Sequence, residues 1–270
     1  MGKSKFNLTN KYCLITGAGG LLGKEHAAAL LEIKSNLILT DINFKKINII
    51  KKKLIKSYPK SKILTYRMDV SREKSIVKVV KDLKNKKIKL HALINNAAID
   101  SKISKNQEMS NTEKFEITSL KNWRKHLDVG LTGAMLCSKH FGKMIIQNTK
   151  GGVIINIASD LSVIAPNHEI YKKGIFKPVM YSVIKHGIIG LTKYISTYWN
   201  SKKLRCNAIS PGPVEDGQPK IFIRKLKKHI PLNRLALKNE YRGAIQFLCS
   251  DASEYMTGQN LIIDGGRSVW

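Results

Sequence analysis

The chain has 270 residues and a formal net charge of +29, from 48 Lys and Arg residues against 19 Asp and Glu residues. A chain of this length buries a large core and, without a linker-like stretch or repeat, predicts one α/β domain over residues 1–270. Its first ten residues are polar and no apolar run approaches the roughly 20 residues of a membrane helix, so we expect neither signal peptide nor membrane span.

The positive charge comes mainly from lysine. Only eight basic residues are arginines, at positions 67, 72, 124, 205, 224, 234, 242 and 267. Arginine is the usual residue for bidentate phosphate or guanine contacts, and the lysines run along the whole chain. The composition therefore favours solvated helix faces and predicts no nucleic-acid partner. An anionic partner, such as a phosphorylated substrate or a membrane surface, stays open as the alternative.

The four cysteines, Cys13, Cys137, Cys206 and Cys249, are scattered without metal-ligand spacing. We therefore expect no metal site and interpret the thiols as reduced, buried small side chains. Reduced thiols fit a reducing compartment, so the expected location is the cytoplasm.

Short apolar runs alternate with longer helical patterns along the chain. The predicted strands are Tyr12 to Thr16, Asn36 to Asp41, Ile63 to Asp69, Ala92 to Asn95, Val153 to Ala158, Cys206 to Ile209 and Leu261 to Asp264. The predicted helices are Leu22 to Ile33, Phe44 to Ser57, Ser71 to Lys87, Ser119 to Gln147, Val179 to Ser201, Phe222 to Lys228 and Glu240 to Leu248. Ser71 and Ser119 are predicted helix N-caps. Apolar strands separated by helices indicate a doubly wound parallel α/β sheet, the Rossmann fold, with helices on both faces.

Three stretches are predicted to be insertions that border a substrate, near residues 99–118, 161–178 and 213–231. The first two are long, polar, and follow the carboxyl ends of predicted strands. Ligands bind at these ends in doubly wound folds, and long loops there are usually functional.

A glycine-rich turn, Thr16 to Gly23, separates the first strand from the first helix. Such a turn lets a pyrophosphate approach the backbone and rest on the helix N-terminus. Asp41 ends the second strand 18 residues beyond Gly23, close to the spacing of the acid that binds the adenosine ribose. A carboxylate there repels a 2′-phosphate, so NAD(H) is predicted over NADP(H), although Lys45 and Lys46 lie near. A helix-capping role for Asp41 is compatible with this function.

The pattern Tyr-x-x-x-Lys occurs three times, as Tyr58/Lys62, Tyr181/Lys185 and Tyr198/Lys202. Pro59 interrupts the first pair, and the third falls at the fraying end of a predicted helix. Tyr181 and Lys185 begin that helix, where the spacing of four places both on one face. An ammonium beside a phenol favours the phenolate and lowers the phenol pKa, so the sequence predicts Tyr181 as general acid/base and Lys185 as the residue that tunes it. Ser159 ends the preceding strand and is predicted to hold the substrate oxygen; alone it would read as a cap.

These residues, with Asp69-Val70, Asn95-Asn96-Ala97-Ala98, Pro211-Gly212 and Asp264-Gly265-Gly266, resemble the short-chain dehydrogenase/reductase family over residues 8 to 266. The resemblance implies oxidoreduction with a nicotinamide cofactor, no metal, and a homodimer or homotetramer packed through two long helices. It also implies that Asp69 lies near the adenine and Lys185 binds the nicotinamide ribose. The cofactor-binding residues implied are Gly17, Gly19, Gly20, Leu22, Gly23, Asp41, Asp69, Val70, Asn96, Ala97, Tyr181, Lys185, Pro211, Gly212 and Val214.

The chain departs from the family pattern at several positions. Leu21 stands where shorter members usually have glycine, and Gly130 replaces a helical asparagine whose carbonyl holds a relay water in the family. Gly130 keeps a carbonyl and permits a kink, so activity is expected to survive. In the Pro-Gly loop of the family a threonine contacts the cofactor, whereas Pro213-Val214-Glu215-Asp216 follows here, so that contact is missing or replaced.

The stretch between Ser159 and Tyr181 is longer than usual in the family and is expected to border the substrate. Within it, His168 and Tyr171 are candidate substrate residues, although His168 fits an exposed loop residue equally well. Together with Gly130 and the tail that contains Arg267, this insert is similar to a subgroup of bacterial surface-sugar pathways. That similarity implies a small-molecule substrate, namely a polar or phosphorylated sugar.

Two other functions remain as alternatives. A 3-oxoacyl-(acyl-carrier-protein) reductase would dock an acidic carrier on the basic surface, but its reductive role normally favours NADP(H), against which Asp41 argues. A non-catalytic NAD-binding or interaction protein would not need Ser159, Tyr181 and Lys185 together.

Overall fold

Seven parallel strands form the centre of the fold. The computed structural model describes residues 4–100, 103 and 114–269, and its strands are β1 (Tyr12–Thr16), β2 (Asn36–Asp41), β3 (Ile63–Arg67), β4 (Leu90–Asn95), β5 (Gly152–Ile157), β6 (Leu204–Pro211) and β7 (Asn260–Ile263). They lie in the order β3-β2-β1-β4-β5-β6-β7, and each neighbouring pair is parallel. The order reverses between β1 and β4, beside which ligands bind in open α/β sheets.

Helices cover both faces of this sheet. They are α1 (Gly23–Glu32), α2 (Phe44–Ser57), α3 (Glu73–Asn85), α4 (Leu120–Leu127), α5 (Gly133–Ile145), α6 (Val179–Tyr198), α7 (Lys220–Lys227) and α8 (Arg242–Cys249). Leu14 of β1 packs in the core layer of α3 and α5, whereas the next residue, Ile15, packs in the layer of α1 and α8. Burial on both faces explains the continuously apolar strands, and the predicted doubly wound parallel sheet is confirmed.

One predicted helix, Ser119 to Gln147, is interrupted. A π-helical turn, Asp128–Thr132, separates α4 from α5, and the N–H of Gly133 donates to the Asp128 carbonyl five residues earlier. The helical periodicity continues through the turn, which is why the sequence pattern predicted one helix. The extra residue per turn depends on tertiary packing around Gly130.

The two predicted N-caps have different outcomes. Ser119 caps α4, and its side chain accepts a hydrogen bond from the N–H of Asn122. The prediction for Ser71 is wrong, because α3 begins at Glu73 and the Ser71 hydroxyl donates to Asp69 Oδ1 at 2.6 Å. The Ser71 hydroxyl is hydrogen-bonded to the Asp69 carboxylate and therefore does not cap the helix.

The predicted insertions pack partly against one another. Residues 101–102 and 104–113 of the first lie outside the described residues. The second contains short 3₁₀ turns at Asp160–Ser162 and His168–Ile170, and the third contains α7. An apolar cluster joins all three through Ile103, Ile170, Phe222, Leu226 and Ile230. No helix among the described residues is long and apolar enough to cross a membrane.

Candidate active site

The backbone of the glycine turn packs closely against neighbouring main-chain atoms. Gly17 has φ +60°, and a Cβ built on it would lie 2.8 Å from the Cα of Ala97. A Cβ on Gly23 would lie 2.5 Å from the Gly17 carbonyl oxygen. The turn between β1 and α1 is therefore closed to side chains at both positions.

Asn96 fixes this turn to the end of β4. Its Nδ2 donates to the carbonyls of Thr16 at 3.0 Å and Gly17 at 2.9 Å. Thr16 Oγ1 in turn accepts the N–H groups of Asn96 and Ala97. These bonds place Asn96 and Ala97 at the β1/β4 reversal, beside the glycines.

Asp41 lies where the sequence predicts a ribose-binding acid. One carboxylate oxygen accepts the N–H of Gly19 at 2.9 Å, and the other accepts the N–H of Asn43 at 2.8 Å. Each oxygen has a further lone pair, so the carboxylate both orients the turn and retains acceptor capacity. The Asn43 side chain caps α2, so Asp41 supports that helix start without being its cap.

Asp69 and Val70 border the same edge beyond β3. Both carboxylate oxygens of Asp69 have partners close in sequence. Oδ1 accepts the N–H of Ser71 at 3.0 Å, and Oδ2 lies 3.4 Å from Arg72 Nε. Val70 is buried, and a Cβ on Gly133 would lie 2.9 Å from its Cγ2. Val70 therefore limits how closely the start of α5 can approach the segment that follows β3.

The loop after β6 lies on the opposite side of the β1/β4 reversal from β2 and β3. The N–H of Gly212 donates to the Ile263 carbonyl at 2.8 Å, and a Cβ on Gly212 would lie 2.6 Å from the Cα of Asp264. Val214 pairs with Ala236 in an isolated parallel bridge. Pro211 ends β6 itself, so the predicted Pro-Gly segment stands at the carboxyl end of its strand.

Ser159, Tyr181 and Lys185 converge between β5 and α6. Tyr181 is half-buried, and the Ser159 side chain is near enough to lower the pKa of its hydroxyl. Lys185 is buried, donates to the Ile157 carbonyl at 2.9 Å, and holds its Nζ 5.6 Å from the centre of the Tyr181 ring. The three predicted catalytic side chains are thus neighbours in the fold. The other two Tyr-Lys pairs are separated from any such helix start, since α2 ends at Ser57 and α6 ends at Tyr198.

Burial is the largest cause of the pKa shifts of Tyr181 and Lys185. It raises the pKa of Tyr181, the charge of Asp100 raises it further, and the Ser159 side chain lowers it. Burial also lowers the pKa of Lys185 to about 8. The net shift at Tyr181 is opposite in sign to the one expected from a nearby ammonium alone, because loss of water disfavours the phenolate.

A buried ion pair lies directly behind Ser159, and the sequence patterns did not predict it. The Ser159 hydroxyl donates to Asp160 Oδ1 at 2.8 Å, while Arg267 Nη1 donates to Asp160 Oδ2 at 2.5 Å. Both charged side chains are less than a tenth exposed. A charged residue directly after an apolar strand was the available signal, but its partner is 107 residues away.

The insertion presents a second ion pair to the site. Lys177 Nζ lies 3.8 Å from the centre of the Tyr181 ring and 3.3 Å from Asp100 Oδ1. The candidate substrate residues form an aromatic group beside it, with His168 exposed and 5.4 Å from the Phe176 ring. Tyr171 is half-buried against Phe222 of α7 at 5.4 Å between ring centres.

Gly130 lies in the π-helical turn and faces α6. It is buried, and a Cβ built on it would lie 2.8 Å from Ile184 Cγ2, next to Lys185 in the sequence. The main chain deviates from the α-helix here as a π-helical turn, and the missing side chain makes room for Ile184. Ile184 therefore fills the space that a polar side chain at position 130 would need.

The glycine edge fits a dinucleotide. Leu22 is the N-cap residue of α1 and makes no side-chain cap hydrogen bond, which leaves first-turn N–H groups for an anion such as a pyrophosphate. A Cβ on Gly19 would lie 2.9 Å from Asp41 Oδ2, so glycine keeps the path from the turn to the carboxylate open. Gly17, Gly19 and Asp41 therefore fit a dinucleotide: they would supply the backbone cradle for a pyrophosphate and the acid for a ribose.

Such a cradle beside a tyrosine with a lysine one turn later defines a nicotinamide-dependent oxidoreductase acting on CH–OH groups. A family model described as enoyl-(acyl carrier protein) reductase matches residues 17–268. The chain belongs to the short-chain dehydrogenase/reductase family.

Individual relatives cover nearly the whole chain. The chain is 31% identical to an NAD-dependent glycerol dehydrogenase of Listeria innocua, over 98% of its own length and 96% of the relative. It is 29% identical to the post-translational flagellin modification protein A of Campylobacter coli, over 96% and 98%. A short-chain dehydrogenase of Leptospira borgpetersenii, solved with bound NAD+, superposes with a TM-score of 0.85 at 28% identity, over 100% and 97%.

Proposed function

We propose that the protein is an NAD(H)-dependent oxidoreductase that interconverts a secondary alcohol and a ketone on a sugar or sugar-phosphate derivative. The observation that carries the proposal is the convergence of Ser159, Tyr181 and Lys185 just beyond β5, in the same parallel sheet whose β1 leads into the glycine turn. The bound nicotinamide would accept or supply the hydride. Asp41 and the relative's name, an NAD-dependent dehydrogenase, support NAD(H) over NADP(H). The glycerol dehydrogenase and the flagellin modification protein support a polyol or sugar substrate.

In this mechanism Tyr181 moves the proton of the reacting oxygen. Burial keeps the phenol protonated at neutral pH, which suits donation to a carbonyl oxygen during reduction. The Ser159 hydroxyl donates its proton to Asp160 and accepts the N–H of Leu161, so one lone pair is left to accept from the phenol or from a substrate hydroxyl. Lys185 is held by the Ile157 carbonyl and directs its remaining donors toward the ribose and Tyr181.

The decisive experiment is fluorescence titration of the purified protein with NADH and NADPH, followed by NAD+ reduction with a panel of polyols and sugar phosphates. We expect NADH to bind more tightly than NADPH and at least one polyol or sugar to be oxidised. Tyr181→Phe should lower the turnover about 10²- to 10⁴-fold while NADH binding persists. Full turnover in Tyr181→Phe would refute the mechanism, and tighter NADPH binding would favour the 3-oxoacyl reductase alternative.

We also propose that the chain acts as one folding unit in the cytoplasm and assembles as a homodimer or homotetramer through α5 and α6. The supporting observation is a set of exposed apolar and aromatic side chains on these helices, namely Met135, Val183, Tyr194 and Tyr198. Large apolar surfaces on a folded chain usually mark an interface. Light scattering of the purified protein tests the assembly, and a monomer at micromolar concentration would refute it.

A further inference from the structure

The positively charged ammonium of Lys177 lies over the ring face of Tyr181, the proposed proton-transfer residue. Its Nζ lies 3.8 Å from the centre of the Tyr181 ring, and only 11% of its side chain is exposed. Pro178 follows it directly as the N-cap of α6, with φ −58°. The fixed proline backbone therefore joins the Lys177 main chain to the first turn of the helix that carries Tyr181.

The charge of Lys177 is only partly compensated. Among the described residues its anionic partner is Asp100, at 3.3 Å, and 56% of the Asp100 side chain is exposed. An exposed carboxylate keeps its hydration and contributes little to such a pair, whereas the ammonium has lost most of its water. An ammonium has three donors, and the carboxylate and the ring face leave capacity for another acceptor.

Neighbouring lysines do not share this environment. Lys172 and Lys173, in the same insertion, are exposed to solvent. Lys185 is buried and lies farther from the centre of the Tyr181 ring, at 5.6 Å, and its Nζ donates to the Ile157 carbonyl. Lys177 is the lysine that combines burial, a position on the tyrosine ring and a weak, exchangeable partner.

We propose that Lys177 binds an anionic group of the substrate, a carboxylate or a phosphate carried close to the reacting alcohol, and that this group replaces Asp100 on the ammonium. The inference rests on the proposed function, because it requires the alcohol to lie at the Tyr181 hydroxyl. The substrate class is then an acidic or phosphorylated polyol or sugar. A neutral polyol of the same size leaves Lys177 on Asp100 and loses a charge-assisted hydrogen bond.

Calorimetric titration with matched ligands tests the inference. The probes are D-gluconate against D-glucitol for a carboxylate, and glycerol 3-phosphate against glycerol for a phosphate, each with and without NADH. We expect the anionic member of at least one pair to bind about tenfold or more tightly than its neutral counterpart, since a hydrogen bond to a charged group is stronger than one between neutral groups. The pair that shows the preference identifies the anion.

Variants separate Lys177 from the general positive charge. Lys177→Met should abolish the anion preference, Lys177→Arg should retain it, and Asp100→Asn should strengthen anion binding by removing the competing carboxylate. Lys173→Met, which removes the same charge from the same insertion, should leave the preference unchanged. Circular dichroism and NADH binding check that each variant is folded.

The outcomes are distinct from those for the proposed function. No preference for either anion in the wild-type protein, or an equal loss in Lys177→Met and Lys173→Met, overturns the role of Lys177. NADH binding and oxidation of a neutral polyol would then still support the oxidoreductase. A wild-type protein that binds neither dinucleotide overturns the proposed function instead.

Discussion

Asp160 is the residue on which the position of the Ser159 hydroxyl depends. One of its oxygens accepts that hydroxyl and the other accepts Arg267, so the guanidinium fixes the carboxylate and the carboxylate fixes the serine. The N–H of Leu161 also donates to the oxygen that serves Ser159, at 2.8 Å. Asp160 and Arg267 are therefore positioning residues for Ser159.

Replacing Asp160 with alanine should leave Arg267 buried without its partner, and the free energy of unfolding should fall by about 3–5 kcal/mol. The double variant Asp160→Asn/Arg267→Gln removes both charges and should recover most of that stability. It should still lower kcat, because the serine hydroxyl is no longer held by a charged acceptor, while NADH affinity stays unchanged. Urea denaturation and steady-state kinetics measure both effects. Equal destabilisation in the two variants would contradict the buried pair.

Asp41 is expected to decide between the two dinucleotides. Asp41→Ala removes the charge that repels a 2′-phosphate and the acceptor for ribose hydroxyls, so the ratio of NADPH to NADH affinity should rise about tenfold or more. Fluorescence titration with both cofactors measures the ratio. Glu73→Gln, at an exposed carboxylate on α3, is the control for net charge. An unchanged ratio in Asp41→Ala would contradict the assignment.

At the scale of elements, the π-helical turn of residues 128–132 shows how α6 is positioned. Ile184 occupies the space that a side chain at position 130 would need, so α6 approaches the turn closely just before Lys185. The turn therefore contributes to the placement of the catalytic helix.

Gly130→Ala should be destabilising although alanine is the better helix former. The added methyl group meets Ile184 Cγ2 at 2.8 Å, and overpacking of this kind costs about 1–3 kcal/mol. Combining it with Ile184→Ala should give a loss smaller than the sum of the two single losses, which a double-mutant cycle in urea measures. Gly243→Ala in α8, where an added Cβ meets nothing within 4 Å, should show no loss. Strict additivity would show that the contact is relieved elsewhere.

Much of the element pattern was predictable because its signals are local. The bounds of β1, β2 and α2 follow from apolar runs and turn residues, and the glycine turn lies where the sequence predicts it. The interrupted helix was not predictable, because helical periodicity continues through the turn and the neighbour that fills the space beside Gly130, Ile184, is more than fifty residues away. The ion pairs of Asp160 and Lys177 were missed for the same reason, since sequence spacing carries no signal for them. The catalytic roles of Ser159, Tyr181 and Lys185 stay predictions.

At the scale of the whole molecule, the buried His26 and the half-buried His91 link stability to pH. His26 lies in α1, and neither ring nitrogen has a hydrogen-bond partner among the described residues. Burial lowers the pKa of His26 to about 3 and is the main cause that lowers the pKa of His91 to about 4. Below pH 6.5 the unfolded chain takes up protons at these residues while the folded protein does not.

The free energy of unfolding should therefore be independent of these groups above about pH 6.5 and should fall as the pH drops toward 4. The slope contributed by each histidine approaches about 1.4 kcal/mol per pH unit. Urea denaturation at pH 7.5, 6.0 and 5.0 measures it, and His26→Leu should reduce the slope by about half of the histidine contribution. His186→Gln, at an exposed position of α6, is the control. A wild-type stability that is flat over this range would contradict neutral burial.

The Asp160–Arg267 pair also constrains the order in which the fold is completed. A ribosome adds about 5–20 residues per second, so roughly 5–20 s separate the synthesis of Asp160 from that of Arg267, 107 residues later. During this interval β5 has a carboxylate at its end that cannot be buried without its counter-ion, and the serine beside it has no fixed acceptor. The reactive end of the sheet is therefore expected to mature last, after β7 has docked and its terminal turn has delivered the guanidinium.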